Sequence, residues 1–300
     1  MPNPTDPSDA SSSPAGDILR VALPKGRMEQ GVLKVLAEAG IRVVPAARSY
    51  RPTISLENAE TKVLKPQNIV EMLALGSRDI GFAGADWVAE LGLDVVELLD
   101  TGLDPVRVVA AAPADMLANG GLPDRRLIVA SEYENLSRAW IRQRGLDAEF
   151  VRSYGATEVF PPEDADVIVD NTATGSTLVA NDLEITDVLM TSSTRLYASP
   201  LALEDPNRRQ RIEEIVMLIN SVLQARQRVM IEVNAAADCL DAVVAVLPSM
   251  RRATVSPLFG EDGYAVKAAV PRDSLARLIP AIKAAGGTDV VVSPLAQIVP

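Results

Sequence analysis

The apolar positions of this chain alternate between two spacings, and that alternation predicts its elements. Ile18-Leu19-Arg20-Val21-Ala22-Leu23 holds a single charge and reads as a strand. Pro24-Lys25-Gly26-Arg27 interrupts it. Val32, Leu33, Leu36 and Ala37 then recur at helix spacing, and Gly40 sits where a helix-ending glycine belongs. Residues 41–44 predict the next strand, 69–75 a helix, and 79–84 a strand ending in glycine. Further strands are predicted at 106–112 and 127–130, then a helix at 134–144 closed by Gly145. A strand at 167–169 runs into a loop, with a helix beginning near Leu178. Strands alternating with helices predict α/β domains with largely parallel sheets.

From about residue 208 to 228 the reading changes. Ile212, Ile215, Val216, Ile219, Val222 and Leu223 form one long apolar helix face. A strand at 229–233, a helix at 240–247, a strand at 264–270, a helix at 274–285 and a strand at 290–292 come next, with room for a strand within 253–258. That βαββαβ order suits a ferredoxin-like α+β module of about 70 residues, starting near 224–228. Residues 1–16 are rich in Pro, Ser and Asp and lack an apolar centre. They read as a disordered leader, neither a secretory signal nor a mitochondrial presequence. No apolar run approaches the roughly 18–20 residues of a membrane span.

Composition narrows the chemistry. A length of 300 residues suggests about two domains, or three if one is small. The chain has no histidine and one cysteine. The first excludes Ser-His-Asp and Cys-His nucleophile systems, histidine general bases and His-dependent zinc sites. The second excludes intrachain disulfides, Cys₄ zinc and iron–sulfur clusters. Cys239 is expected to be a small buried apolar residue on a helix. The lack of disulfides fits a cytoplasmic protein. A net charge of −11 argues against binding nucleic acid or an anionic membrane. It leaves room for a small anion held by a few local cations.

The most informative segment is Ala165-Asp166-Val167-Ile168-Val169-Asp170-Asn171-Thr172-Ala173-Thr174-Gly175-Ser176-Thr177-Leu178. An apolar strand ends at an acid. A loop with one glycine and three hydroxyls comes next, then a helix. Such a turn cradles phosphate with backbone N–H groups and hydroxyls, and the acid can accept hydrogen bonds from ribose hydroxyls. Together they suit a ribose 5-phosphate. The Walker lysine is absent. A helix start capped by Thr or Ser is the competing reading. Lys25, Gly26 and Arg27, also between strand and helix, put two cations at a strand C-terminal edge, where ligands bind in open α/β sheets, or form a solvated basic turn.

Taken together, LRVALPKGR, DIGFAGADW, LIVASEYENLSR, GATEVFPPEDADVIVDNTATGSTLVANDL and VLPSMRRATVSPL make the chain resemble the ATP phosphoribosyltransferase family in its long form, from Ile18 to the C-terminus. The resemblance implies two periplasmic-binding-protein-like (type II) lobes with parallel-rich sheets, plus a C-terminal ferredoxin-like or ACT-like regulatory domain. Implied boundaries are 17–112 with 190–224 for the first lobe, 113–189 for the second, and 225–300 for the tail. The implied reaction joins ATP to 5-phosphoribosyl 1-pyrophosphate with Mg²⁺.

The resemblance also implies roles. Thr174, Gly175, Ser176 and Thr177 would bind the 5-phosphate, and Asp170 and Glu158 the ribose hydroxyls, directly or through Mg²⁺. Lys25 and Arg27 would face pyrophosphate or ATP phosphates, and Arg107, Asp86 and Tyr133 the nucleotide. Plainer readings stand beside these: a solvated acid for Glu158, a surface cation for Arg107, a helix cap for Asp86 and a packed aromatic for Tyr133. Asn234, Met250, Arg252 and Thr254 match a regulatory histidine site, in a homo-oligomer that is a dimer or hexamer.

The sequence departs from the family pattern at Lys65 and Asn68, where Arg and Asp are frequent, and at Gly102-Leu103-Asp104-Pro105-Val106-Arg107, which lacks the frequent Gly-Cys-Arg. It departs again at Asn171 and at the bulky Arg252. Alternatives from other classes are a small-anion solute-binding protein of the same two-lobe fold, a non-catalytic paralogue or regulatory subunit, and a different phosphoribosyltransferase.

Overall fold

A computed structural model describes residues 18–45, 50–117, 120–250, 252–260 and 262–299. The expected leader lies outside these residues. By its internal contacts the chain divides into two units. The larger holds the residues up to Leu33 and Arg42–Ile212, and the smaller holds Lys34–Ile41 and Glu213–Pro300. Two helices, α1 (Arg27–Glu38) and α7 (Pro206–Arg226), run through the division.

The larger unit is built on an eight-stranded sheet. Its first half contains β1 (Leu19–Pro24), β4 (Ala59–Leu64) and β5 (Ile80–Gly84), with β1 parallel to both neighbours. A short hairpin of β2 (Val43–Val44) and β3 (Thr53–Ile54) lies apart from the main sheet. Helix α2 (Pro66–Ala74) starts on a proline, whose fixed φ suits a first helical turn. Helix α3 (Ala85–Leu91) ends at the left-handed Gly92. The second half contains β7 (Leu127–Ser131), α4 (Glu134–Arg144), β8 (Ala148–Arg152), β9 (Val167–Thr172) and α5 (Ser176–Ala180), with β7 parallel to β8 and β9.

Between the halves run two long antiparallel strands, β6 (Val96–Pro113) and β10 (Leu183–Ala198), giving the order β4-β1-β5-β10-β6-β9-β7-β8. Strand β10 pairs with β5 only along Thr194–Ala198, and β6 pairs with β9 only along Arg107–Ala111. Each long strand therefore serves both halves. Gly102 and Asp104 in β6 take φ +64° and +48°, and the β6–β10 register shifts at several places along β10, from Ile185/Asp187 to Leu196/Tyr197.

The α/β class is as expected, and the differences in detail have physical causes. Strands β4 and β8 are the two sheet edges. They read Ala-Glu-Thr-Lys-Val-Leu and Ala-Glu-Phe-Val-Arg, and charges on edges hide the strand pattern while discouraging further pairing. Strand β10 was not legible because polar residues interrupt its apolar alternation along much of its length. The central strands lose their alternation because both faces are buried. Val108, Ala110, Val167 and Val169 enter one apolar cluster, while Val109, Ala111 and Ile168 enter another. Arg20, the one charge in β1, is held by the buried Asp79 at 2.7 Å.

The smaller unit holds β11 (Arg228–Ala236), α8 (Leu240–Val246), β12 (Thr254–Pro257), β13 (Gly263–Pro271), α9 (Leu275–Ala284) and β14 (Thr288–Pro294). The strands are antiparallel in the order β12-β13-β11-β14, which is ferredoxin-like. Val229, Ile231 and Val233 alternate into a core with Val266, Val243 and Ile282. Cys239 corrects an expectation: it is half-buried and precedes α8 rather than lying within it. In the same unit Arg226 pairs with Glu38 at 2.8 Å. Helix α6 (Pro200–Glu204) precedes α7 in the larger unit.

Candidate active site

Strand β9 delivers Asp170 to the start of an open loop. Ile168 and Val169 are buried in the sheet, which fixes the register of Asp170 and of the turn beyond it. The Thr172 hydroxyl accepts the Gly175 N–H at 2.9 Å and closes the turn. Gly175 adopts φ +82° with nothing near an added Cβ, so glycine is needed there for its backbone conformation. Helix α5 has no side-chain cap. Thr174, Ser176 and Thr177 are exposed; the Thr174 hydroxyl lies 3.1 Å from that of Ser176 and accepts the Ser176 N–H at 3.4 Å, at the solvent face of the turn.

Glu158 sits on a 3₁₀ turn (Thr157–Val159) anchored by Thr157, whose hydroxyl meets Ser153 at 2.7 Å. Burial pushes the Asp170 carboxyl up to about 6. The Asn171 N–H opposes that rise, and the charges of Glu158 and Glu132 add to it. Asp170 thus feels two further carboxylates beside the loop. Glu132 was not singled out from the sequence, although it adjoins Tyr133.

The other wall is the turn after β1. Gly26 takes φ +90°, and Arg27 opens α1. Lys25 and Arg27 are exposed. Lys25 Nζ lies 3.2 Å from the Tyr50 hydroxyl and 4.9 Å from the centre of its ring. A cavity of about 220 Å³ reaches from Lys25 and Arg27 past Asp86 and Trp87 to Ser192 and Asn171.

Under this cavity runs a buried chain of hydrogen bonds. Asn171 Nδ2 donates to the Tyr133 hydroxyl at 2.9 Å, which donates to Asp86 at 2.6 Å. The Ser192 hydroxyl donates to the other Asp86 oxygen at 2.6 Å and accepts the Asp86 N–H at 3.0 Å. Burial and the neighbouring Asp86 push the Tyr133 hydroxyl far above its usual range, so it stays a donor. The Tyr133 ring stacks on Trp87 with centres 4.7 Å apart. Tyr133 is fully buried, which matches the packed-aromatic reading; it reaches the cleft only through its partners. Asp86 is not the cap of α3, since Gly84 holds that position.

Arg107 is exposed and pairs across β6–β9 with Thr172, which places it at the root of the loop. Lys65 and Asn68 line a second cavity of about 350 Å³ with Glu132, Arg152 and Tyr154. Asn68 donates to Glu71 at 3.0 Å. In the smaller unit Met250, Arg252 and Thr254 are exposed around the start of β12. Asn234 lies on β11, separated from β12 by β13, and its amide reaches Asp289 at 3.3 Å. Among the described residues no three Asp, Glu or Cys side chains converge as a metal cage, and no helix is long and apolar enough to cross a membrane.

Known proteins are similar to this chain in sequence and fold. A family model described as ATP phosphoribosyltransferase matches residues 65–221, and one described as HisG, C-terminal domain, matches 225–297. The ATP phosphoribosyltransferase of Pelotomaculum thermopropionicum is 33% identical over 289 residues, covering 94% of this chain and 99% of the relative. That of Desulforudis audaxviator is 35% identical over 289 residues, covering 94% and 99%. A chain of the ATP phosphoribosyl transferase (HisG:HisZ) complex from Thermotoga maritima shares the fold. Its TM-score is 0.60 over 68% of this chain and 99% of that one, at 24% identity.

Proposed function

The chain belongs to the ATP phosphoribosyltransferase family, and from that premise we propose how its residues divide the work. The reaction is the first step of histidine biosynthesis: ATP and 5-phosphoribosyl 1-pyrophosphate give N1-(5-phosphoribosyl)-ATP and pyrophosphate. Thr174, Gly175, Ser176 and Thr177 hold the 5-phosphate. Asp170 and Glu158 accept hydrogen bonds from the ribose hydroxyls, and their charge favours the cationic character that develops at the anomeric carbon. Lys25 and Arg27 bind the pyrophosphate or the ATP phosphates, with Arg107 beside the loop. Asp86 shapes the nucleotide side of the cleft, and Tyr133 supports it from below. Adenine N1 carries no proton to remove before it attacks, so positioning and electrostatics suffice without histidine.

The donor set suits Mg²⁺ carried on the pyrophosphate. That ion takes one or two carboxylates together with substrate phosphates, and Asp170 and Glu158 can supply them. When bound, it neutralises charge on the leaving pyrophosphate.

The smaller unit is assigned to histidine regulation through Asn234, Met250, Arg252 and Thr254, in a homo-oligomer of the cytoplasm. A solute-binding or non-catalytic role is not favoured.

One observation carries this division of roles: a half-buried acid near the end of one strand is followed directly by a turn with three exposed hydroxyls. The test supplies ATP, phosphoribosyl pyrophosphate and Mg²⁺ and monitors phosphoribosyl-ATP by its ultraviolet absorbance. Thr177→Ala should lower kcat/KM about 100-fold in a folded protein, the scale of a lost preorganised donor. Near-normal turnover would overturn the loop assignment.

A further inference from the structure

Asn171 touches Asp170 and Tyr133 with different parts of one residue. Its backbone N–H donates to Asp170 Oδ1 at 2.7 Å, and its side-chain amide donates to the Tyr133 hydroxyl at 2.9 Å. Tyr133 is itself immobilised by its stack on Trp87, its bond to Asp86 and its complete burial. Helix α3 grips the same junction a second time. Glu90, one turn beyond Asp86, accepts the N–H groups of Asn135 and Leu136, each at 2.9 Å. Residue 133 is thus fixed by α3 through its own hydroxyl and through the start of α4. What remains to be fixed is the strand end that carries Asp170. An aliphatic residue at 171 would leave the buried Tyr133 oxygen without that donor and the strand end without its tie.

We propose that Asn171 is a positioning residue for Asp170. Its side chain ties the peptide that hydrogen-bonds the Asp170 carboxylate to the buried Tyr133–Asp86–Ser192 chain, and so aims that carboxylate at the ribose hydroxyls of the phosphoribosyl substrate. This rests on the role given to Asp170 above. Losing the tie frees the peptide that holds the carboxylate, so Asp170 can turn away from the ribose hydroxyls.

The experiment measures kcat and the KM values for phosphoribosyl pyrophosphate and for ATP in the parent, Asn171→Leu, Tyr133→Phe and the double variant. Asn171→Leu should lose about tenfold in kcat/KM for phosphoribosyl pyrophosphate, the scale of modest misplacement, with a smaller loss toward ATP. Tyr133→Phe, which keeps the ring and its stack, should lower kcat/KM for phosphoribosyl pyrophosphate as well. The double should be no worse than the more damaging single, because both break one chain. Losses that multiply, or equal losses toward ATP and phosphoribosyl pyrophosphate in Asn171→Leu, overturn the proposal. Should Asn171→Leu fail to fold, Tyr133→Phe alone decides, and a parental kcat/KM for phosphoribosyl pyrophosphate there overturns it. Asp170→Asn, run alongside, separates the two claims. Near-normal turnover there overturns the role of Asp170. Lost turnover there with parental behaviour in Asn171→Leu overturns only the positioning.

Discussion

The carboxyl of Asp170 titrates near 6 because burial at the end of β9 strips away water, with Glu158 and Glu132 adding like charge. An unfolded aspartate titrates near about 4. The folded chain holds this proton more tightly, so its contribution to stability is full below about pH 4 and is lost as pH rises to about 6. Asp170→Asn removes the charge and keeps the shape. Its melting temperature should exceed the parent's at about pH 8 and approach it near pH 4, while phosphoribosyl transfer is lost. Equal melting temperatures at pH 8 would contradict the burial argument. Asp170 was legible because an acid ending an apolar run before Thr-Gly-Ser-Thr is a local pattern. Ser192 and Glu132 were not, since a serine in a polar stretch and an acid before a tyrosine have no local signature.

Helix α3 spans only seven residues, yet it turns two carboxylates toward the start of α4. Their spacing of four puts them on one face. Helix α4 has no cap of its own from Tyr133, and Glu90 supplies one from outside by taking two of the first N–H groups. Glu90→Ala should cost about 2 kcal/mol, the scale of two buried donors left unmet, read as a lower midpoint in urea. A loss below about 0.5 kcal/mol would show that water satisfies those groups. The loop before α5 makes a different prediction. Gly175→Ala meets no neighbour, so only its φ of +82° resists, at roughly 1 kcal/mol. The melting temperature should fall slightly, and the affinity for phosphoribosyl pyrophosphate should fall more as the turn relaxes.

At the scale of the whole molecule, a chain of net charge −11 must bind two polyanions through few cations. Lys25, Arg27 and Arg107 are exposed in the larger unit, where attraction has to be local. Regulation belongs to the same scale. Arg252 is an exposed cation within the residues assigned to histidine, and a like charge of that kind opposes a ligand amino group by up to about 1 kcal/mol. Calorimetry on the intact protein should show histidine binding that tightens severalfold in Arg252→Ala. No heat from either protein up to millimolar histidine would remove the assignment.

The sequence by itself determined what local spacing can encode: the α/β elements, the βαββαβ tail, and the acid–loop–helix segment at 167–180. The chemistry excluded by lacking histidine was equally certain. Tertiary structure decided what joins distant parts of the chain. It made β6 and β10 into strands shared by both halves, and it brought Ser192 to Asp86 across 106 positions, Asp86 to Tyr133 across 47 and Tyr133 to Asn171 across 38. Periodicity reports which face of an element is apolar. It cannot report which remote polar group meets a buried one, because that choice is made only when the sheet is assembled.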